Sequence, residues 1–362
     1  MGKFAFIFHP HDVESLGDWV FLDSELKKKK RRTTERVLRW FPPFKRDTVT
    51  GLKSLTGQTA EGEMILLPLV PEQILHMDEK LIIKKMIEAG KIAEDLGAKV
   101  VGLGAYAAWV GKKGVLLAKA LDIAVTTGTS YTIVTAVNAI LKAAEDVGIN
   151  LEKAKVAVLG ATGTIGSISS YMLATHVSHL TLIAQNKERL KTLADSISTY
   201  KPSLNLDIYN DVKKGIKDAN IILIVTNTPK AIIDIADLSS GSVACDLSLP
   251  HNISQEKAKS LRDVLVIDGG VVKPPGDVDF HFNFGLPPGL AYACMAETML
   301  LALEGLYQSY SLGGDITLEK VTKMAELGSK HGFALAEFRS FGNAVSCKQV
   351  EDVKKARLVT GK

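Results

Sequence analysis

Apolar and polar residues along the first 150 positions follow two different periods. Asp78–Leu96 has apolar residues three and four positions apart and ends at Gly97, which predicts an amphipathic helix. Thr132–Val147 predicts a second, more apolar helix that stops at Gly148. Short apolar runs predict strands at Lys3–Phe8, Glu63–Leu67, Lys99–Leu103 and Ile123–Thr126.

From Lys155 onward the alternation of strand and helix becomes regular. Apolar runs predict strands at Val156–Leu159, Leu180–Ala184, Asn205–Ile208, Ile221–Val225, Ser242–Asp246 and Val264–Ile267. Helical segments are predicted between them at Ile165–Thr175, Lys187–Ser198, Val212–Asp218 and Gln255–Ser260. About 120 residues of this alternation predict an α/β fold with a doubly wound, Rossmann-type parallel sheet.

After Pro287 and Pro288 the pattern is helical, at Leu290–Ser309 and Leu318–Ala334. We therefore expect three consecutive segments. These are an amino-terminal α/β substrate domain (1–130), a Rossmann-type NADP(H)-binding domain (131–289) and a helical carboxyl-terminal segment (290–362).

Composition is that of a globular chain, with 46% hydrophobic and 23% charged residues among 362. Three scattered cysteines form no paired motif, which favours a reducing cytoplasm. The amino terminus predicts no signal peptide, and the longest uncharged stretch, Val156–Thr175, has too many glycines and hydroxyl groups for a transmembrane helix.

The excess of positive over negative charge lies in one stretch, Lys27–Arg46, which we call the basic band. It holds ten basic residues and one acid, so the rest of a chain whose net charge is +4 carries −5. This distribution argues against general nucleic-acid binding, and it makes the band either a docking surface for an acidic partner or a solvated helix face.

A glycine-rich loop follows the strand at Val156–Leu159 and opens a helix. Glycines in this context allow a tight turn and close approach of backbone N–H groups to a pyrophosphate. The predicted cofactor-binding residues of the loop are Gly160, Ala161, Thr162, Gly163, Thr164, Ile165 and Gly166.

The end of the second strand bears on the choice of cofactor. No acid stands there to bind a ribose 2′-hydroxyl, whereas Gln185, Asn186, Lys187 and Arg189 are donors suited to a 2′-phosphate. NADPH is therefore favoured, with NADH as the alternative. Further cofactor contacts are predicted at the ends of later strands, from Thr226, Asn227, Gly269 and Gly270.

Cys294 is the candidate nucleophile. The prolines delay the helix until about Gly289 or Leu290, so Cys294 falls in its first or second turn, where the positive helix end should lower the thiol pKa. A core role is the alternative. Cys245 is expected in the core. His331, near a helix end, is a candidate proton donor or a capping residue.

Hydroxyl groups are concentrated between a predicted strand and a predicted helix, after Thr126. This segment is a candidate for substrate binding or for capping the helix. The residues concerned are Thr127, Gly128, Thr129, Ser130 and Tyr131. No cluster of residues has the spacing of a metal site.

Several ordered segments resemble the long-chain acyl-[acyl-carrier-protein] reductases of cyanobacteria, which form fatty aldehydes from acyl thioesters. The segments are Thr126–Thr132, Val156–Ser167, Asp268–Val272, Ala293–Gly305, Ile316–Lys320 and His331–Phe333. The resemblance implies a nucleophile at Cys294, NADPH on the glycine loop and an acyl-enzyme intermediate. It also makes an acidic acyl carrier protein the expected partner of the basic band.

Two other functions fit the residues. One is a dehydrogenase of the shikimate or amino-acid type, which shares the glycine loop and needs no cysteine. The other is a nucleotide-sensing protein whose basic band contacts a membrane surface peripherally.

Overall fold

A computed structural model of the chain describes residues 1–12, 38–226, 228, 232–248, 250–258, 262–314 and 316–360. Its strands, in chain order, are β1 (Gly2–Phe8), β2 (Phe44–Lys53), β3 (Thr59–Leu66), β4 (Val100–Leu103), β5 (Ala124–Thr126), β6 (Lys155–Leu159), β7 (His179–Ile183), β8 (Asn205–Tyr209), β9 (Ile221–Ile224), β10 (Val243–Asp246), β11 (Leu265–Ile267), β12 (Val271–Lys273), β13 (Gly276–Asp279), β14 (Ala291–Tyr292), β15 (Ala334–Leu335), β16 (Arg339–Ser340) and β17 (Asn343–Ala344).

The helices in the same order are α1 (Pro71–His76), α2 (Glu79–Asp95), α3 (Val110–Lys113), α4 (Val115–Ala120), α5 (Thr129–Asp146), α6 (Thr164–Ala174), α7 (Lys187–Tyr200), α8 (Val212–Ile216), α9 (Gln255–Ala258), α10 (Ala293–Glu304), α11 (Leu318–His331) and α12 (Cys347–Thr360). Short 3₁₀ turns occupy Ala105–Trp109 and Ile235–Asp237.

The chain divides into two compact units. One comprises residues 1–132 and 272–334, and the other residues 133–271 and 335–362. This division differs from the three consecutive segments predicted. The first predicted boundary, at 130, lies close to the observed one, but residues 290–362 do not form a segment of their own. The physical reason is that α10 packs on β1, β3 and β4, which places it in the core of the first unit.

The first unit contains a mixed six-stranded sheet, in the order β13-β2-β3-β1-β4-β5. Strands β3, β1, β4 and β5 are parallel, whereas β2 pairs antiparallel with β3 and β13 antiparallel with β2. Ala5 and Ile7 of β1 pack on the core beside α2, with Met86 and Ala89. The intervening residue Phe6 faces the other way, because side chains alternate along a strand.

The helix α10 is buried nearly all round, which explains why its sequence has little helical amphipathicity. Close approach to the sheet requires glycine on the strand. A Cβ atom on Gly102 of β4 would overlap the hydroxyl of Thr298. The packing of α10 on β4 therefore fixes where the helix begins relative to the ends of β1 and β4.

The second unit contains a six-stranded sheet, in the order β11-β10-β9-β6-β7-β8. All its neighbouring strands are parallel. Apolar clusters cover both faces, with Val243 and Cys245 on one face of β10 and Ala244 on the other. This is the strand order of the Rossmann fold, so the predicted fold class is confirmed. Each of the six strands predicted in this unit matches its observed strand to within one residue at either end.

Candidate active site

Cys294 is the second residue of α10 and lies in its first turn, as predicted. The N-cap residue, Tyr292, has extended backbone angles, and its side chain makes no capping hydrogen bond. The first N–H groups of the helix are therefore not satisfied by the side chain of the cap residue. The cysteine is half-buried. Its thiol is therefore partly exposed and lies at the amino-terminal end of the helix.

The pKa of the thiol does not follow the sequence prediction. Burial raises the pKa of Cys294 to about 11, and the nearby Glu297 carboxyl also raises it. Backbone N–H groups of Met295, Ala105 and Cys294 itself face the sulfur and lower the pKa, but by less. The expectation of a lowered pKa was wrong because desolvation outweighs the helix end, and the resting cysteine is a neutral thiol at pH 7.

Ala105 supplies one of these N–H groups from a different part of the chain. It begins the 3₁₀ turn that follows β4, and its φ of 46° lies in the left-handed region that non-glycine residues rarely adopt. Such strain persists only where surrounding structure holds it, and it is concentrated at functional sites. The sequence shows no signal for this residue.

The predicted substrate segment lies directly beside the cysteine. Gly128 has a φ of 72°, and a Cβ atom there would approach Cα, Cβ and the carbonyl oxygen of Cys294 closer than 3.0 Å. Glycine is therefore required by both the backbone angle and the contact. The structure brings Gly128 and Cys294 into direct contact.

The hydroxyl groups of that segment are used inside the protein. Thr127, Ser130 and Tyr131 are each at most 5% exposed. The Thr127 hydroxyl donates to the carbonyl oxygen of Ser311 at 2.5 Å, and the Ser130 and Ser311 hydroxyls are 2.7 Å apart. These contacts fix the segment, so direct substrate contact stays a prediction for Gly128 and the half-exposed Thr129.

A buried acid in α10, Glu297, organises this segment and was missed at the sequence level. Its carboxylate accepts from the Thr126 hydroxyl at 2.5 Å and from the Tyr131 backbone N–H at 2.8 Å. Burial raises the pKa of Glu297, while these hydrogen bonds oppose the rise. An acid in the middle of a mostly apolar helix was the available signal.

His331 does not lie with Cys294, which corrects its prediction as a proton donor. The imidazole is fully buried, 2.8 Å from the Ser54 hydroxyl and 2.9 Å from the Glu304 carboxylate. Glu304 ends α10 and Cys294 begins it. At 1.5 Å per residue they are about 15 Å apart along the helix. Both ring nitrogens are engaged, so His331 has a structural role.

The glycine loop in the second unit has the geometry expected for a nucleotide. Gly160 has a φ of 88°, and a Cβ atom there would lie 2.6 Å from the carbonyl oxygen of Val225. A Cβ atom on Gly166 would overlap the backbone of Gly160. The helix α6 begins at Thr164, and its cap residue Gly163 has no side chain to occupy the space in front of the helix. The loop therefore fits a pyrophosphate held by backbone N–H groups.

The predicted donors after β7 are all exposed, and one is fixed to the loop. No acid stands at positions 184–187, and Glu188 follows in the first turn of α7. The Asn186 side chain caps α7 by accepting from the Arg189 N–H at 3.0 Å. The Arg189 guanidinium donates to the carbonyl oxygen of Thr162 at 2.9 Å. A cation is thus held against the nucleotide loop.

The later predicted contacts fall at the carboxyl ends of the same parallel strands. Thr226 follows β9 and its backbone N–H lies close to Gly160. Gly269 and Gly270 follow β11, and a Cβ atom on Gly270 would have no neighbour within 4 Å. Asn227 lies outside the described residues.

Other predictions have mixed outcomes. Cys245 is buried in β10, as predicted, and burial raises its pKa. Most of the basic band, residues 27–37, lies outside the described residues. Of its remaining cations, Lys45 pairs with Glu63 at 2.7 Å and Arg46 with Asp47 at 3.3 Å. Within the described ranges, no cluster of His, Cys, Asp and Glu suits a metal ion and no helix is long and apolar enough to cross a membrane.

Comparison with known proteins adds a family and two relatives. The sequence model of the Shikimate / quinate 5-dehydrogenase family matches residues 142–268. The chain is 29% identical over 307 residues to the long-chain acyl-[acyl-carrier-protein] reductase of Synechococcus elongatus, covering 81% of this chain and 87% of that protein. It is also 29% identical over 374 residues to the aminotransferase PigE of a Serratia species, covering 98% of this chain and 42% of that protein. The chain thus spans less than half of the length of PigE.

Similarity to solved structures is weak. L-tryptophan dehydrogenase from Nostoc punctiforme has a TM-score of 0.41 at 11% identity, over 99% of this chain and 89% of that one. Quinate dehydrogenase from Corynebacterium glutamicum, solved with NAD, has a TM-score of 0.35 at 15% identity, over 73% and 86%. The second unit, with its strand order and glycine loop, has the architecture of an NAD(P)-binding domain.

Proposed function

We propose that this chain is an NADPH-dependent reductase that converts a long-chain acyl thioester to a fatty aldehyde through a covalent intermediate on Cys294. The observation that carries the proposal is the placement of Cys294. It stands half-exposed in the first turn of α10, with backbone N–H groups of Met295 and Ala105 facing its sulfur. Similarity to the Synechococcus reductase supports the substrate class.

The chemistry begins with the loss of the thiol proton. The Cys294 thiolate attacks the thioester carbonyl, the carrier thiolate leaves and takes up the proton, and an acyl-cysteine thioester remains. N–H groups that face the sulfur stabilise the thiolate as it forms and again when it leaves. Because burial raises the thiol pKa to about 11, the proton must leave as the substrate binds rather than beforehand.

The second unit holds the cofactor in this proposal. Backbone N–H groups from Gly160 to Gly166 would bind its pyrophosphate, and Arg189 with Lys187 would bind the 2′-phosphate. NADPH, when bound, supplies the hydride that releases the acyl group as an aldehyde. A proton then returns to the cysteine sulfur. The exposed donors after β7, with no acid on that strand end, support NADPH over NADH.

The acyl group is proposed to arrive on an acidic carrier protein that docks on the basic band. The supporting observation is the charge distribution, since a band of +9 stands in a chain that otherwise carries −5. Lys45 and Arg46 already pair with acids of the first unit. We therefore place the docking charge at Lys27–Arg39.

Neutralising Lys27–Arg32 tests the docking step. At low salt, KM for the acyl-carrier thioester should rise about tenfold, and KM for acyl-CoA should hardly change. Equal, small changes in both would contradict docking. If the variant keeps both KM values but stops sedimenting with phosphatidylglycerol vesicles, the partner of the band is a membrane surface.

The central test is turnover of palmitoyl thioester by Cys294→Ala and Cys294→Ser, with Cys347→Ser as a matched control on an exposed cysteine. Aldehyde formation and NADPH oxidation should fall at least about a thousandfold in both Cys294 variants and stay unchanged in the control. Retained aldehyde formation in Cys294→Ala would contradict the covalent mechanism.

A second candidate function is favoured by the family match to residues 142–268. A dehydrogenase acting on a hydroxy acid or an amino acid would use the same glycine loop without a nucleophile. In that case Cys294→Ala would keep its activity with such a substrate, and the wild-type chain would not oxidise NADPH on addition of an acyl thioester.

A further inference from the structure

His9, which follows β1, is held in one tautomer by two backbone groups. Its Nε2 lies 3.2 Å from the backbone nitrogen of Tyr106, and its Nδ1 lies 2.9 Å from the carbonyl oxygen of Pro10. The N–H of Tyr106 can only donate and the carbonyl can only accept. The imidazole must therefore carry its proton on Nδ1 and use Nε2 as an acceptor.

The residue that precedes Tyr106 is Ala105, whose own N–H faces the sulfur of Cys294. Backbone nitrogens of successive residues are less than about 4 Å apart. The N–H of Ala105, which faces Cys294, and the N–H of Tyr106, which donates to His9, are therefore neighbours. Left-handed residues turn successive N–H groups into a concave site for an anion. The φ of 46° at Ala105 has this effect.

The turn is held on both sides of Ala105. On one side the Gly104 N–H donates to the carbonyl oxygen of Ile7 at 2.9 Å, and on the other the Tyr106 N–H donates to His9. The rings of His9 and Tyr106 also lie against each other in a tilted arrangement, with centroids 5.8 Å apart. The end of β1 therefore fixes a strained backbone conformation at the point where it meets the cysteine.

We propose that His9 is a positioning residue, whose Nε2 holds the Ala105 turn so that the Ala105 N–H is donated to the sulfur of Cys294 as the thiolate forms. The catalytic consequence of this inference rests on the proposed function. His9 touches neither the substrate nor the sulfur in this account, and acts through the backbone of the turn.

A role for His9 as proton donor is the competing explanation. Nε2 would have to carry a proton, which would bring it against the Tyr106 N–H. Burial also lowers the pKa of His9 to about 4, with a small contribution from His11. The imidazole therefore stays neutral at the pH where the enzyme would act, and has no proton to give from Nε2.

The test uses three variants in a Cys347→Ser background. His9→Gln places an amide oxygen near the position of Nε2 and can still accept from Tyr106. His9→Asn is too short to do so, and His9→Leu offers no acceptor. The readout is the rate at which iodoacetamide alkylates Cys294, followed by mass spectrometry of its peptide at about pH 8, where the rate is proportional to the thiolate fraction.

Loss of one hydrogen bond to the thiolate should raise the thiol pKa by about one unit. His9→Leu and His9→Asn should therefore react about tenfold more slowly, while His9→Gln should stay within about twofold of the wild type. Glu297, the charged neighbour that raises the thiol pKa, is the same in every variant. The Asn variant keeps the comparison usable if His9→Leu fails to fold.

Equal rates in all folded variants, or a loss in His9→Gln as large as in His9→Asn, would overturn the positioning role. Alkylation needs neither acyl thioester nor NADPH, so the two proposals fail separately. Slow alkylation in His9→Asn without any reductase activity in the wild type would refute the proposed function and leave the positioning role standing. Normal alkylation of Cys294 in the His9 variants, together with lost turnover, would refute the positioning role and leave the proposed function standing.

Discussion

Replacing Gly128 with alanine should displace Cys294. The backbone there has a φ of 72°, which costs about 1 kcal/mol for a residue with a Cβ atom. The new Cβ would also lie closer than 3.0 Å to three atoms of Cys294, whereas carbon atoms normally approach to about 3.5–4.0 Å. Relieving such an overlap between backbones typically costs a further 1–3 kcal/mol, roughly. We expect a total loss of about 3 kcal/mol in the free energy of unfolding.

Gly305 offers a matched control in the same unit. It caps α10 at the opposite end from Cys294, has a φ of 71°, and a Cβ atom there would meet nothing within 4 Å. Gly305→Ala should therefore lose only the backbone term of about 1 kcal/mol. Urea unfolding of both variants measures the difference, which is the energy of the contact with the cysteine.

Turnover adds a second readout for the same pair. A displacement of about 1 Å at a reacting group can lower the rate about a hundredfold. Gly128→Ala should show a loss of that size in aldehyde formation and Gly305→Ala almost none. Equal destabilisation of the two variants, or wild-type turnover in Gly128→Ala, would refute this account of the site.

Three further predictions follow from the charges. The pKa of His9 is 6.5 in the unfolded chain and about 4 in the folded one, so the free energy of unfolding should fall as pH drops from 6.5 towards 4, by about 2 kcal/mol at pH 5. In urea unfolding, His9→Gln should lack this loss. An identical loss in His9→Gln would contradict the assignment of the pH dependence to His9. Glu297→Gln should speed alkylation of Cys294 by lowering the pKa of its thiol. It should also destabilise the fold by about 1–3 kcal/mol, because Thr126 and Tyr131 donate to different carboxylate oxygens and the amide NH2 that replaces one of them cannot accept; slower alkylation would contradict the role of the charge. Arg189→Ala should raise KM for NADPH about tenfold and leave KM for NADH nearly unchanged, because only NADPH has a 2′-phosphate for the cation to bind. Equal changes in both KM values would limit the role of Arg189 to holding the glycine loop through Thr162.

The Rossmann unit was predictable because each of its parts has a local signal. Except for the exposed edge strand β8, the strands of its six-stranded sheet are short, mostly apolar runs with buried residues on both faces. The glycine loop stands between a strand and a helix. The strand β2 gives no such signal. Phe44–Lys53 is mostly half-exposed, its register with β3 is irregular, and it begins within the basic band. Tertiary pairing with β3 and β13 decides its conformation.

Division of the chain into two units could not be read from periodicity, which is a local property. The helix α10 joins the amino-terminal sheet through its fit to Gly102, about 200 residues away in sequence. The position of Cys294 in the first turn was predictable from the prolines. Its pKa was not, because burial of the thiol outweighs the helix end that the sequence does reveal.

Histidines show the same limit. His331 looks like an accessible residue at a helix end, but Ser54 and Glu304 bury it. His9 has no motif, and its role depends on Tyr106, 97 positions away. Glu297 is the exception among the residues that were missed, since an acid in the middle of a mostly apolar helix is visible in the sequence and indicates a buried hydrogen-bonding site.

Intact mass spectrometry after mixing the protein with palmitoyl thioester, without NADPH, detects the proposed acyl-enzyme itself. We expect one palmitoyl adduct, mapped to the peptide that contains Cys294, absent from Cys294→Ala and retained in Cys347→Ser. Release of the adduct as aldehyde on addition of NADPH would complete the proposed cycle. An unmodified protein, or an adduct on Cys347, would contradict it.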